Sequence, residues 1–151
     1  MSVEVVSPVS GLTAPLGEVP DPVFSQAMVG PGMAVKPRGG RGDAVAPVAG
    51  TVATLHPHAF VITTPEGFAV LVHLGLDTVK LGGEGFTAHV TQGETVRVGQ
   101  RIITWDPTGI EAHGFSSICP VVVLEIGADA LGDLREDDQV LAGEAVFTVQ
   151  R

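Results

Sequence analysis

The chain has 151 residues, a length that supports one ordinary domain spanning 1–151 with a single buried core. Lys and Arg number 8 against 17 Asp and Glu, and the resulting net charge of −9 speaks against a phosphate backbone as partner, so no nucleic acid is expected. Hydrophobic residues at 44% exclude a largely disordered chain, while 20 Gly and 11 Pro punctuate it too often for a helix bundle.

No apolar run reaches the ~18 residues of a membrane span, so no direct membrane insertion is expected. Met1–Ser10 lacks the basic-then-apolar pattern of a secretory signal, and the carboxyl end has no lipidation box. The one cysteine, Cys119, cannot form an internal disulfide. These features together predict a cytoplasmic protein.

Short runs rich in Val, Ile and Thr follow one another along the chain. Val3–Val6 reads as the first strand. A single helical turn is predicted around Pro22–Gln26, and Pro37–Asp43 reads as a glycine-rich loop. Strands are then predicted at Ala44–Val48, Thr51–Leu55, Ala59–Thr63, Phe68–Leu74 and Arg101–Trp105. Asp106-Pro107 gives an N-cap and a first-turn proline for a short helix over Thr108–His113, which Gly114 ends. Pro120–Ile126 and Ala145–Val149 are strands, and a second helix is predicted over Ala128–Asp137 despite Gly132. Many short strands at regular spacing predict an all-β sandwich or barrel.

Two phrases recur. Val6-Ser7-Pro8-Val9-Ser10-Gly11 resembles Val45-Ala46-Pro47-Val48-Ala49-Gly50, and Gly93-Glu94-Thr95-Val96 resembles Asp137-Asp138-Gln139-Val140. Proline opening a strand and glycine closing a turn suit the edges and corners of a folded-over sheet. The two pairs together predict an internally two-fold β architecture.

Thr64-Pro65-Glu66-Gly67 reads as a tight hairpin turn between two strands. If Thr64 faces Gly67, His58 faces His73 with Cβ atoms about 5 Å apart. If instead Gly67 is a bulge in a three-residue loop, the pairing slips by one and alternation puts the histidines on opposite faces. Paired imidazoles bind metal, transfer protons, or let one ring act as a nucleophile while the other steadies the transferred group.

The segment Val72-His73-Leu74-Gly75-Leu76-Asp77-Thr78-Val79, followed by Leu81, Gly83, Gly85 and Phe86, resembles the active-site segment of the enzyme IIA component of the glucose class of the bacterial sugar phosphotransferase system. Pro20-Asp21-Pro22-Val23-Phe24, Met28–Val35, Val45–Gly50 and His58-Ala59-Phe60 resemble further segments of that family, so the likeness runs from about Val5 to Val149. It implies a β-sandwich with internal duplication, of the duplicated hybrid motif type, and few short helices. It also implies a phosphocarrier. His73 would take a phosphoryl group from the phosphocarrier protein HPr and pass it to a cysteine on the IIB domain of a sugar permease, with His58 assisting. Thr78 would either hold the acceptor ring through its hydroxyl or be a plain strand residue. Asp21, Val23, Phe24, Val29, Asp77 and Val79 would ring the histidines as a docking face, the apolar ones being core on the other reading. The sugar would be of the glucose or N-acetylglucosamine class, with β-glucosides or sucrose next, and enteric members also regulate other proteins through the same face. Met1 shortly before the first matched segment, and no linker after Arg151, point to a free-standing IIA protein.

A neutral imidazole is nucleophilic near pH 7, and a phosphoryl group on nitrogen keeps a high transfer potential, so no cofactor is required. His58, and backbone N–H groups near Gly75, would donate to the phosphoryl oxygens. No Lys or Arg lies between Arg41 and Lys80, so partner proteins are expected to supply the cations. The family often has threonine two residues before its first histidine. His56 stands there, either replacing it or pointing outward. His89 and His113 are expected on the surface, and Cys119 in the packing.

Two other classes compete. His56-x-His58 and His73-x-x-x-Asp77 are metal-ligand spacings, and a zinc-dependent hydrolase of lysostaphin-peptidase-like architecture uses both, although in the opposite order. Short of that, His58 and His73 would share an incidental zinc ion with a ligand from a partner. A biotinyl or lipoyl carrier needs a lysine at a hairpin tip, and neither Lys36 nor Lys80 sits in such a motif.

Overall fold

Fourteen short strands carry the computed structural model, which describes residues 2–150. They are β1 (Ser2–Val6), β2 (Gly11–Pro15), β3 (Gly32–Pro37), β4 (Gly42–Val45), β5 (Gly50–His56), β6 (Ala59–Thr63) and β7 (Ala69–His73) in the first half. The second half adds β8 (Phe86–Ala88), β9 (Thr95–Val96), β10 (Arg101–Trp105), β11 (Cys119–Val123), β12 (Leu131–Gly132), β13 (Gln139–Val140) and β14 (Ala145–Gln150). Among the described residues the α-helices are α1 (Pro22–Ser25) and α2 (Pro107–Ala112). Each is capped by an aspartate, Asp21 and Asp106, and opened by a proline.

An eight-stranded sheet runs in the order β13-β2-β3-β11-β7-β6-β5-β9, with two three-stranded sheets, β1-β14-β12 and β4-β10-β8. Alternation along the strands gives the large sheet two apolar faces. Met33, Val35, Phe60, Ile62, Val70, Val72, Val121 and Val123 pack with Val5, Phe147, Ile103 and Trp105 of the small sheets in the main core. Ala34, Val122 and the half-buried Leu71 point the other way, beneath Leu16, Val19, Phe24 and Leu76. Strand β11 is covered on both faces and is buried throughout. The fold is therefore the expected β-sandwich.

The duplication is visible in reciprocal hydrogen bonds. Val6 N–H donates to Pro47 O at 3.0 Å, and Val45 N–H donates to Pro8 O at 2.8 Å. Ser7 exchanges bonds with Glu144 and Gly143, as Ala46 does with Gln100 and Gly99. Thr13 likewise matches Asp138 and Asp137 where Val52 matches Glu94 and Gly93. The recurring phrases of the sequence are the segments at which the two halves grip each other.

Two predicted elements are corrected. Ala128–Asp137 is not a helix: a 3-10 turn at Ala128–Ala130 leads into β12, where Leu131 pairs with Val149 and Gly132 with Thr148. Asp133 and Asp137 then adopt positive φ (54° and 58°), which a helix does not admit. The Pro37–Asp43 loop is shorter than expected, because Pro37 ends β3 and Gly42 opens β4. Strands β2 and β3 were not anticipated; their Gly, Ala and Pro content hides the period-two pattern.

Candidate active site

The hairpin β6–β7 takes the slipped register. Ala59 faces His73, and Thr63 faces Ala69. Thr64 N–H donates to Phe68 O at 2.8 Å, and Gly67 sits at φ 95° as the bulge of a three-residue loop. Opposite faces for the histidines would follow from strand alternation, yet the rings of His58 and His73 lie 5.2 Å apart in a T-shaped contact. The reason is that His58 is not on a strand. His56 pairs with Ala59, so Pro57 and His58 form the two-residue turn joining β5 to β6. A turn residue escapes the alternation, and Leu74 N–H donates to His58 O at 2.7 Å, fastening the turn to the end of β7.

His73 shares the second face of the large sheet with Leu71. Its ring meets Phe24 of α1 at 5.5 Å, and its Nδ1 is hydrogen-bonded to Gly75 O. A carbonyl only accepts, so Nδ1 carries the proton and Nε2 keeps its lone pair. Gly75 holds that carbonyl in place with φ 80°; a Cβ there would meet Ser116 O and Thr78 Cγ2, each at 2.8 Å. Burial holds His73 below the usual imidazole range, against the raising effects of the Gly75 hydrogen bond and the Asp21 and Asp77 carboxylates. His58 is pushed down to about 4, by burial first and then by His73 and His56. Both rings are therefore neutral near pH 7.

The remaining predicted site residues divide. Thr78 is fully buried and its hydroxyl donates to Leu74 O at 2.8 Å, so it ties the turn Thr78–Leu81 to the end of β7 and does not hold the imidazole. Phe24 is core and at the same time the wall behind His73, and Val29 packs half-buried against the same cluster. Val23 (41% exposed) and Val79 (62%) do present apolar surface. Met28, 67% exposed, joins Val23 through a hydrogen bond from Met28 N–H to Val23 O at 3.0 Å. It was missed because a lone Met before a Gly-Pro turn gives no period to read. Asp21 accepts from Val23 N–H at 3.0 Å, and Asp77 sits exposed at φ 59°.

Of the backbone N–H groups around Gly75, those of Leu74 and Leu76 are already committed to His58 O and Ser116 O. His89 and His113 lie on the surface, donating to Thr104 Oγ1 at 2.6 Å and Gly109 O at 2.8 Å. Cys119 is fully buried, and burial pushes its thiol far up, so it is an unreactive packing residue. Among the described residues no group of three or more His, Cys, Asp or Glu is placed to hold a metal ion. The two metal-ligand spacings bring His56, His58 and His73 side by side without forming such a group, so a zinc ion on His58 and His73 would need an outside ligand. No helix among the described residues is long and apolar enough to cross a membrane.

Comparison with known proteins identifies the family. The family described as phosphoenolpyruvate-dependent sugar phosphotransferase system, EIIA 1, matches residues 3–128. The glucose-specific EIIA component of Oceanobacillus iheyensis is 45% identical over 123 residues, covering 80% of this chain and 73% of that protein. The glucosamine-specific EIICBA component of Bacillus subtilis is 44% identical over 132 residues, which is 86% of this chain and 21% of that longer protein. The solved structure of glucose permease IIA from Mycoplasma capricolum superposes with a TM-score of 0.90 at 35% identity, over 98% of this chain and 96% of that one. The match over residues 3–128, the identity to these relatives and the shared fold show that the chain belongs to the EIIA 1 family of the phosphoenolpyruvate-dependent sugar phosphotransferase system and is a phosphotransferase component of it.

Proposed function

We propose that His73 is the phosphoryl acceptor of this chain and that its Nε2 carries the group. The observation that supports this most directly is the bond between His73 Nδ1 and Gly75 O, which leaves the other nitrogen unprotonated. The Nε2 lone pair attacks the phosphorus of phospho-HPr in line; the new N–P bond forms as the old one breaks, and the electron pair returns to the donor imidazole. In the second step the thiolate of a IIB cysteine attacks the same phosphorus, and the pair of the breaking N–P bond returns to Nε2. His58, 5.2 Å away between ring centroids, donates a ring N–H to a phosphoryl oxygen as charge builds.

Val23, Met28 and Val79 form the apolar surface for both partners, with Asp21 and Asp77 as the acids that meet their cations. The transfer requires no cofactor, and zinc at the two histidines would be incidental. The reaction belongs in the cytoplasm, where HPr works, and the sugar is chosen by the permease, of the glucose or N-acetylglucosamine class.

Incubation with phosphoenolpyruvate, enzyme I and HPr should place acid-labile phosphate on the wild type and none on His73→Ala. Undiminished label on His73→Ala would sink the assignment. His58→Gln should still accept phosphate but pass it to IIB more slowly; equal loss of both steps would make His58 a structural residue.

A further inference from the structure

A third imidazole stands in the row. Phe24, His73, His58 and His56 follow one another with ring centroids 5.5, 5.2 and 5.8 Å apart. The contacts differ in kind. His58 meets His73 edge-on at 70° but lies nearly parallel to His56 at 25°, a stacked pair. The ring-nitrogen hydrogen bonds among the described residues belong to His73, His89 and His113. The backbone of His58 is fastened by the Leu74 N–H bond, and its ring is placed by the rings on either side. His56 differs from the other exposed histidines in the same way: His89 and His113 each spend a ring nitrogen on a local oxygen, whereas His56 offers a ring face.

The backbone makes this arrangement rigid on one side. His56 is the last residue of β5 and pairs with Ala59, which in turn pairs with His73. All three rings therefore project from one corner of the large sheet. We propose that His56 is a positioning residue for phosphoryl transfer, its ring backing that of His58 and holding it against His73. The inference rests on the reading that His58 assists transfer. A ring already confined loses less rotational freedom when it orients its N–H on the phosphoryl group, so the gain falls on the transfer step and not on docking. The charge of His56 also contributes to keeping His58 unprotonated.

Three variants of the full chain separate the ring from its polarity. His56→Phe keeps a stacking face, His56→Asn keeps a polar group without one, and His56→Ala removes both. With a IIB domain as acceptor, His56→Phe should transfer within about twofold of wild type, while the other two lose roughly three- to tenfold in kcat at unchanged KM. The ring proton resonances of His58 should shift in His56→Ala and His56→Asn, because the ring current of the neighbour is gone. Equal losses in all three variants, no loss in His56→Ala, a change confined to KM, or unmoved His58 resonances would each overturn the proposal. A wild type that takes no phosphate defeats the proposed function instead, and the His58 resonances still report whether His56 places that ring.

Discussion

At the scale of single residues, burial and crowding both disfavour a second proton on the central imidazoles. His58 titrates at about 4 in the fold against 6.5 in the unfolded chain, and His73 is displaced in the same direction. The unfolded state thus binds protons that the native state refuses as pH falls below 6.5. The stability contributed by the pair is complete above that value and is lost as pH falls toward 4. Urea unfolding followed from pH 7.5 to 4.5 should show falling stability, with a shallower fall in His58→Gln; identical slopes would contradict the assignment. His73 and His58 were legible in the sequence because a long motif and a nearby His-Ala-Phe phrase mark them. The contact between them was not legible from strand parity, since His58 occupies a turn, where parity has no force. For Thr78 the sequence left a ring-holding hydroxyl and a plain strand residue both open; the fold places it in a 3-10 turn and spends its hydroxyl on Leu74 O.

At the scale of elements, the segment from His73 to Leu81 works as one piece. The end of β7 presents His73, Gly75 turns back to lock its tautomer, and Thr78 anchors the following 3-10 turn. Gly75 is the residue on which this depends, with positive φ and no room for a methyl group. Gly75→Ala should cost about 1–3 kcal/mol of stability and weaken the hold on His73 Nδ1. Thermal unfolding measures the first effect and 15N shifts of the His73 ring the second. A variant as stable as wild type with an unchanged ring would show that the loop adapts more readily than its contacts allow. Elements with strong β-branched runs, such as β6 and β10, were legible to the residue. The two-residue strands β9, β12 and β13 were not, because partners fixed elsewhere in the chain create them.

On the scale of the whole molecule, the acidity has a direction. Within the stretch lacking Lys and Arg, Asp43 turns away to accept from Thr104 Oγ1 at 2.6 Å. Asp77 remains exposed by the site and, with the half-buried Asp21, acts on His73. Val23, Met28 and Val79 are exposed apolar residues of the adjoining segments. A basic partner face should be steered there, so the rate of phosphoryl transfer from HPr should fall several-fold between low salt and about 0.5 M, with kcat little changed. A rate indifferent to salt would remove the electrostatic part of the docking argument. The two-fold plan was legible as recurring phrases; the mutual clasp at Pro8 and Pro47 was not, because hydrogen bonds between halves leave no local trace.

The pairing of β1 with β14 sets Ser2 opposite Gln150, so both described ends of the chain leave from the same small sheet. The histidines hang from a different sheet, at the corner formed by β5, β6 and β7. The β1–β14 strand pair carries none of the site residues. A load entering at Ser2 or Gln150 is borne by that strand pair, while the spacing of the imidazoles is set by β5, β6 and β7.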